Sequence, residues 1–216
     1  MKKIEDYSLY LVITEKYGKG RGAVEIARAA IKGGVDIIQL REKDSPRQEL
    51  IDTGKKLSRL CNDNNVIFIV NDDPVIAKET GADGVHLGQE DINSYPIEEA
   101  RRIIGRNKII GISAHSPETV KKADPGHVDY IAFGPVFPTE IKDGCVGTEC
   151  VEKALAATGK PLFFIGGIDL CNVDGLLQMK AKNIALIRAI LQADDITEKT
   201  KAFKDKLLKT KGRVNG

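Results

Sequence analysis

Eight short apolar runs alternate with amphipathic stretches along the chain. The runs are Leu9–Ile13, Asp36–Leu40, Ile67–Val70, Gly84–Leu87, Ile109–Ile112, Tyr130–Phe133, Leu162–Ile165 and Ile184–Ile187. They are apolar throughout rather than alternating, which is how strands covered on both faces read. Between them, apolar positions recur at helical spacing. Gly22–Lys32 carries Ala23, Ile26, Ala27 and Ala30, and Arg47–Asn62 carries Leu50, Leu57, Leu60 and Cys61. Helices are also expected over Pro74–Thr80, Pro96–Ile104, Pro117–Ala123, Val151–Thr158, Asn172–Met179 and Thr197–Leu208. Ser45-Pro46, Asp73-Pro74, Tyr95-Pro96 and Ser116-Pro117 put Pro near a first turn, where its missing N–H leaves no bond unmade.

Strand–helix alternation predicts a parallel sheet with right-handed crossovers. Eight units in 216 residues is about 27 residues each, the period of a compact (β/α)8 barrel with short loops. The expected fold class is therefore α/β, a single TIM-barrel domain over residues 1–216, with a basic tail near 209–216 that is frayed. The competing architecture is an open doubly wound sheet. Its dinucleotide fingerprint is absent, because Gly18-Lys19-Gly20-Arg21-Gly22 lacks the GxGxxG spacing.

Composition narrows the function. A net charge of +2 argues against a nucleic-acid coat. No apolar run approaches the roughly 20 residues that cross a bilayer. The opening Met-Lys-Lys-Ile-Glu-Asp lacks the apolar core of a signal peptide, so a cytoplasmic location is expected. Cys61, Cys145, Cys150 and Cys171 show no CxxC spacing, which favours ordinary thiols over zinc or disulfides.

In a barrel the chemistry gathers where strands end. After the second run, Gln39, Arg41 and Lys43 share one face by strand alternation. Two cations and an amide there suit an anion, or else form a surface strip with Glu42 and Asp44. Asn71-Asp72-Asp73-Pro74 follows the third run, and Gly88-Gln89-Glu90-Asp91 the fourth. Asp73 reads as a helix cap, whereas Asp72 and Asp91 lack such a role. Their carboxylates opposite Arg41 and Lys43 make sense if a divalent cation lies between acids and phosphates. His86, inside an apolar strand, reads as a satisfied buried residue. Ser113, after the fifth run, is the better candidate for a substrate hydrogen bond. The long connection after the sixth run carries Lys142 and reads as a mobile lid or a plain loop. Gly166-Gly167 and the Ile187-Arg188 strand end lie where many barrels hold a phosphate. No nucleophile elbow or serine triad is present.

These segments together resemble the thiamine phosphate synthase family. The match runs through Gln39–Asp44, Asn71-Asp72, Gly81-Ala82-Asp83-Gly84-Val85-His86-Leu87-Gly88-Gln89-Glu90-Asp91, Gly111–Ser116, Asp129–Thr139 and Ile165–Ile168, in order and over nearly the whole chain. The resemblance implies a (β/α)8 barrel and a Mg²⁺-dependent transferase with no protein nucleophile. Hydroxymethylpyrimidine diphosphate and hydroxyethylthiazole phosphate would give thiamine phosphate. By matching position, Gln39, Arg41, Lys43, Asn71, Ser113 and Lys142 would hold the pyrimidine diphosphate. Asp72 and Asp91 would ligate Mg²⁺. Thr139, Gly167 and Ile187 would contact the thiazole phosphate.

Two departures fall on the thiazole side. Thr139-Glu140-Ile141-Lys142 lacks the second hydroxyl of the family's Thr-x-Thr-Lys, and Arg188 replaces a Ser. Arg188 would compensate by pairing with the phosphate, or would fill the pocket or select a different anion. Two alternatives follow: an isomerase like the related thiazole tautomerase, which needs no metal and diphosphate set, and a non-catalytic module that binds a thiamine precursor.

Overall fold

The computed structural model describes residues 2–88, 94–123, 127–138 and 149–214. Each apolar run becomes a strand: β1 (Leu9–Ile13), β2 (Ile37–Leu40), β3 (Ile67–Asn71), β4 (Gly84–Leu87), β5 (Ile109–Ala114), β6 (Tyr130–Phe133), β7 (Leu162–Phe164) and β8 (Asn183–Leu186). Every strand pairs in parallel with the next, and β8 pairs with β1, so the sheet is a closed barrel. The expected (β/α)8 fold is thus the observed one.

The helices are α1 (Ala23–Lys32), α2 (Arg47–Asp63), α3 (Pro74–Thr80), α4 (Ile97–Ile104), α5 (Pro117–Lys122), α6 (Glu149–Ala157), α7 (Val173–Gln178), α8 (Arg188–Leu191) and α9 (Ile196–Val214). Two differ from the sequence expectation. The four-residue α8 is too short to leave a periodic signature. The basic tail continues α9 as far as Val214. Phe203 and Leu207 anchor α9 in the core, and Lys211 and Arg213 suit the negative end of its dipole. Among the described residues, no helix is long and apolar enough to cross a membrane.

Strand alternation divides the core in two. Outward residues such as Leu11, Ile38 and Phe164 pack under the helices. Inward residues, including Tyr10, Ile37, Ile69, Tyr130 and Phe163, fill the barrel. Tyr10, Tyr130 and Phe163 meet edge to face at centroid distances of 5.2 to 5.8 Å. Small residues make room for them: a Cβ on Gly111 would lie 2.0 Å from the Tyr130 ring.

The end of the barrel where strands begin is stitched by repeated acids. Asp36, just before β2, accepts from the Leu9 N–H at 2.7 Å. Asp83, before β4, accepts from Phe68 at 2.9 Å, and Asp129, before β6, from Ile110 at 2.8 Å. Each acid is also held by a cation: Lys204 at 2.7 Å, Lys2 at 3.0 Å and Arg101 at 2.7 Å, respectively. Ile4 packs against the interior cluster from the same end. Charges here are consumed in holding the ring together, which leaves the opposite end to bind ligands.

Asp36→Ala orphans the Leu9 N–H and leaves the Lys204 amine only its bond to Tyr7 O. It should lower unfolding free energy by roughly 2 kcal/mol, the scale of a buried polar group left unpaired. Asp174→Ala, which removes only an exposed pair with Lys206, should cost less than about 1 kcal/mol. Urea unfolding midpoints of the two variants check both figures.

Candidate active site

The C-terminal ends of β2 and β3 bring the first predicted residues together. Gln39 points into the barrel and is buried. Arg41 continues the ladder past β2, its N–H donating to Ile13 O at 2.9 Å. Lys43 is two residues further, and its Nζ lies 3.6 Å from Asp72 Oδ2. Both side chains keep solvent exposure, 51% for Lys43 and 26% for Asp72, so the pair is open to a ligand. Glu42 turns away and accepts from the Glu15 N–H. Burial pushes its carboxyl upward.

Two neighbouring acids have separate duties. Asp73 caps α3, accepting from the Val75 and Ile76 N–H groups at 2.7 and 2.9 Å, and pairs with Arg47. Asp72 instead adopts a left-handed backbone (φ 67°), and its N–H donates to His86 O at 2.7 Å. That bend terminates β3 directly beside β4. Asn71, in register with His86, ends the inward row of β3.

Inside the barrel, polar groups join in one chain. Gln39 Nε2 donates to the Tyr10 hydroxyl at 2.6 Å. The Tyr10 and Tyr130 hydroxyls lie 2.8 Å apart. His86 Nδ1 is 3.0 Å from the Tyr130 hydroxyl, and His86 Nε2 is 3.0 Å from Ser113 Oγ. Burial raises both phenols well above their usual range, so each stays neutral. His86 is therefore a satisfied buried residue, as its apolar flanks suggested. Sequence reasoning treated Tyr10 and Tyr130 as strand filler. Their signal was inward parity in a mostly aliphatic layer that also holds Phe163.

The opposite side of the mouth is built from glycines. Gly166 and Gly167 have φ of 100° and 63°, which disfavour a side chain. They also make room: a Cβ on Gly167 would lie 2.6 Å from Pro138 O, and one on Gly166 would lie 2.5 Å from Pro135 Cβ. The segment after β6 is thereby held on the β7 turn, with Val136 and Phe137 donating to Ile165 O and Gly166 O at 3.0 and 3.1 Å. Ile187 reaches the interior cluster and precedes α8. Arg188 is half-buried, its guanidinium 6.0 Å from the centre of the Tyr17 ring.

Asp91, Thr139 and Lys142 lie outside the described residues, as does the 139–148 part of the connection that reads as a lid or a plain loop. Among the described residues, no three His, Cys, Asp or Glu side chains gather into a metal cage. Cys61, Cys150 and Cys171 are free thiols, and burial pushes Cys61 up to about 12. Chemically, this mouth offers cations and the Asp72 carboxylate past β2 and β3, neutral hydrogen-bonding groups inside the barrel, and a close backbone turn after β7.

Known proteins resemble this chain in sequence and in fold. The family model for thiamine monophosphate synthase matches residues 9–190. A thiamine-phosphate synthase of Halalkalibacterium halodurans is 37% identical over 203 residues, covering 93% of this chain and 95% of that protein. One from Dictyoglomus thermophilum is 39% identical over 200 residues, covering 91% and 88%. The solved thiamine phosphate pyrophosphorylase from Pyrococcus furiosus has a TM-score of 0.86 at 33% identity, covering 94% and 96%. A tryptophan synthase α-subunit from the same organism, at 15% identity and a TM-score of 0.69, shares the fold alone. By both its sequence and its barrel, the chain belongs to the thiamine monophosphate synthase family.

Proposed function

We propose that the barrel mouth joins hydroxymethylpyrimidine diphosphate to hydroxyethylthiazole phosphate, giving thiamine phosphate and diphosphate. The observation that carries this reading is the Lys43–Asp72 pair just past the ends of β2 and β3, the strands that carry Gln39 and Asn71, in a member of this family. The C–O bond to the pyrimidine methylene breaks, and its electron pair leaves with diphosphate. The electron-poor carbon then takes the lone pair of the thiazole nitrogen, forming the new C–N bond. No protein nucleophile is needed, so the residues act by positioning and by offsetting charge.

Arg41, Lys43 and Lys142 offset the charge of the departing diphosphate, while Gln39, Asn71 and Ser113 orient the pyrimidine. Thr139, Gly167, Ile187 and Arg188 receive the thiazole phosphate. Arg188 supplies as a cation what the missing hydroxyls no longer supply as donors. Asp72 and Asp91 are the oxygen donors we assign to Mg²⁺. A site of one or two carboxylates suits a cation that completes its shell with phosphate oxygens and water. A Mg²⁺ ion held there would supply positive charge against the leaving diphosphate. The exposed free thiol of Cys171 favours the reducing cytoplasm, and the partners are small molecules rather than nucleic acid or membrane.

Mixing both substrates with Mg²⁺ should yield thiamine phosphate and diphosphate. Absence of product at high enzyme concentration would overturn the reading. Asp91→Ala should lose Mg²⁺-dependent turnover by roughly a hundredfold, the scale of removing one preorganised electrostatic contact, while circular dichroism stays unchanged. Asp72→Asn should lose turnover with stability kept to within about 0.5 kcal/mol. Asp73→Ala should lose about 1 kcal/mol of stability with its cap. Arg188→Ala should raise KM for the thiazole phosphate about tenfold, as expected for one charge-assisted bond, and leave KM for the pyrimidine substrate alone.

A further inference from the structure

The buried chain from Gln39 to Ser113 has a direction. Gln39 Nε2 can only donate, so the Tyr10 oxygen accepts. Tyr10 is 1% exposed, and its own proton must find an acceptor nearby. The Tyr130 oxygen, 2.8 Å away, is that acceptor. The Tyr130 proton then goes to His86 Nδ1, so the imidazole carries its proton on Nε2 and donates to Ser113 Oγ. The reverse order would strand the Tyr10 proton inside the barrel. With Ser113 accepting from His86, the Ser113 proton is left for the mouth, and Gln39 keeps Oε1 as an acceptor there. Gln39 sits one residue before the end of β2, and Ser113 one before the end of β5. The two ends of the chain therefore lie across the barrel from each other.

We propose that Tyr10, Tyr130 and His86 form a relay of positioning residues that fixes Gln39 as an acceptor and Ser113 as a donor toward the pyrimidine substrate. The proposal deepens the condensation reading and rests on it for the identity of the ligand. It adds a task for three residues that touch neither phosphate. Their rings are held by packing rather than by the ligand. Tyr130 stacks on His86 at 5.6 Å and meets Phe163 edge to face at 5.4 Å. The space that Gly111 leaves fixes where the Tyr130 ring lies. The donor and acceptor pattern is consequently set before a substrate arrives, which spares the cost of ordering it on binding.

Proton–nitrogen NMR of histidine-labelled full-length protein tests the direction without any activity. The chain has three histidines, and His86→Gln assigns the one that matters. The proton should sit on Nε2 of His86; a proton on Nδ1 overturns the relay. Tyr130→Phe keeps the ring but removes the central hydroxyl. It should mix the His86 tautomers and raise KM for the pyrimidine diphosphate roughly tenfold, the scale of one or two hydrogen bonds lost. KM for the thiazole phosphate should hold. A uniform loss of kcat with both KM values unchanged would mean a structural role only, and would overturn the proposal. If Tyr130→Phe fails to fold, Tyr10→Phe interrupts the same chain beside Gln39 and carries the same expectation. A wild-type protein with the Nε2 tautomer but no condensation would sink the functional reading while leaving the direction of the relay intact.

Discussion

A polar atom inside a closed barrel must find its partner inside the same barrel. Eight parallel strands leave no edge, and the helices outside cover the ring, so inward groups have no water to fall back on. This constraint organises the centre of the molecule. Tyr10, Gln39, His86, Ser113 and Tyr130 come from five different strands, β1, β2, β4, β5 and β6, yet their polar atoms join in a single run. The rings between them supply the packing that aliphatic side chains supply elsewhere in the interior. One layer therefore fills the barrel and also presents two polar ends upward.

The same ring separates stability from chemistry. At the strand starts, Asp36, Asp83 and Asp129 each accept a backbone N–H and hold a cation. At the strand ends, Lys43 and Asp72 stand 3.6 Å apart and partly exposed. A pair at that separation in water is worth little by itself, so it holds little of the fold together. It is instead a local balance that a polyanion and a cation would complete. A net charge of +2 conceals this, because the sum over the chain says nothing about which end of the barrel each charge occupies.

What the sequence disclosed follows from the same physics. Strands buried on both faces read as continuous apolar runs, so all eight were legible within a residue or two. Asp73-Pro74 was legible as a helix start because a cap and a first-turn Pro are local chemistry. The Lys43–Asp72 approach was legible only once a barrel had been assumed, since it joins two strand ends. The relay was not legible. Tyr in a strand reads as an ordinary apolar choice, and the hydroxyl's partner lies 120 residues away. Nor were the strand-starting acids, though Val35-Asp36, Ala82-Asp83 and Val128-Asp129 repeat one small pattern before β2, β4 and β6. The four residues of α8 are too few to show a period, and the mostly exposed last turn of α9 carries no apolar stripe.

The departures at Ile141 and Arg188 acquire a meaning from how the far side of the mouth is built. Its shape is set by backbone: Gly166 and Gly167 in left-handed conformations, with Pro135 to Pro138 packed where side chains would otherwise stand. A seat shaped by main chain does not collapse when a neighbouring side chain changes. Position 188 can then exchange a hydroxyl for a guanidinium and alter charge while the cradle keeps its form. Arg188 is itself steadied from outside, its guanidinium near the Tyr17 ring in the turn after β1. On the proposed reading, the pyrimidine side depends on side chains held by a buried relay and tolerates little change. The thiazole side depends on backbone and tolerates more, which is where this chain departs from its family.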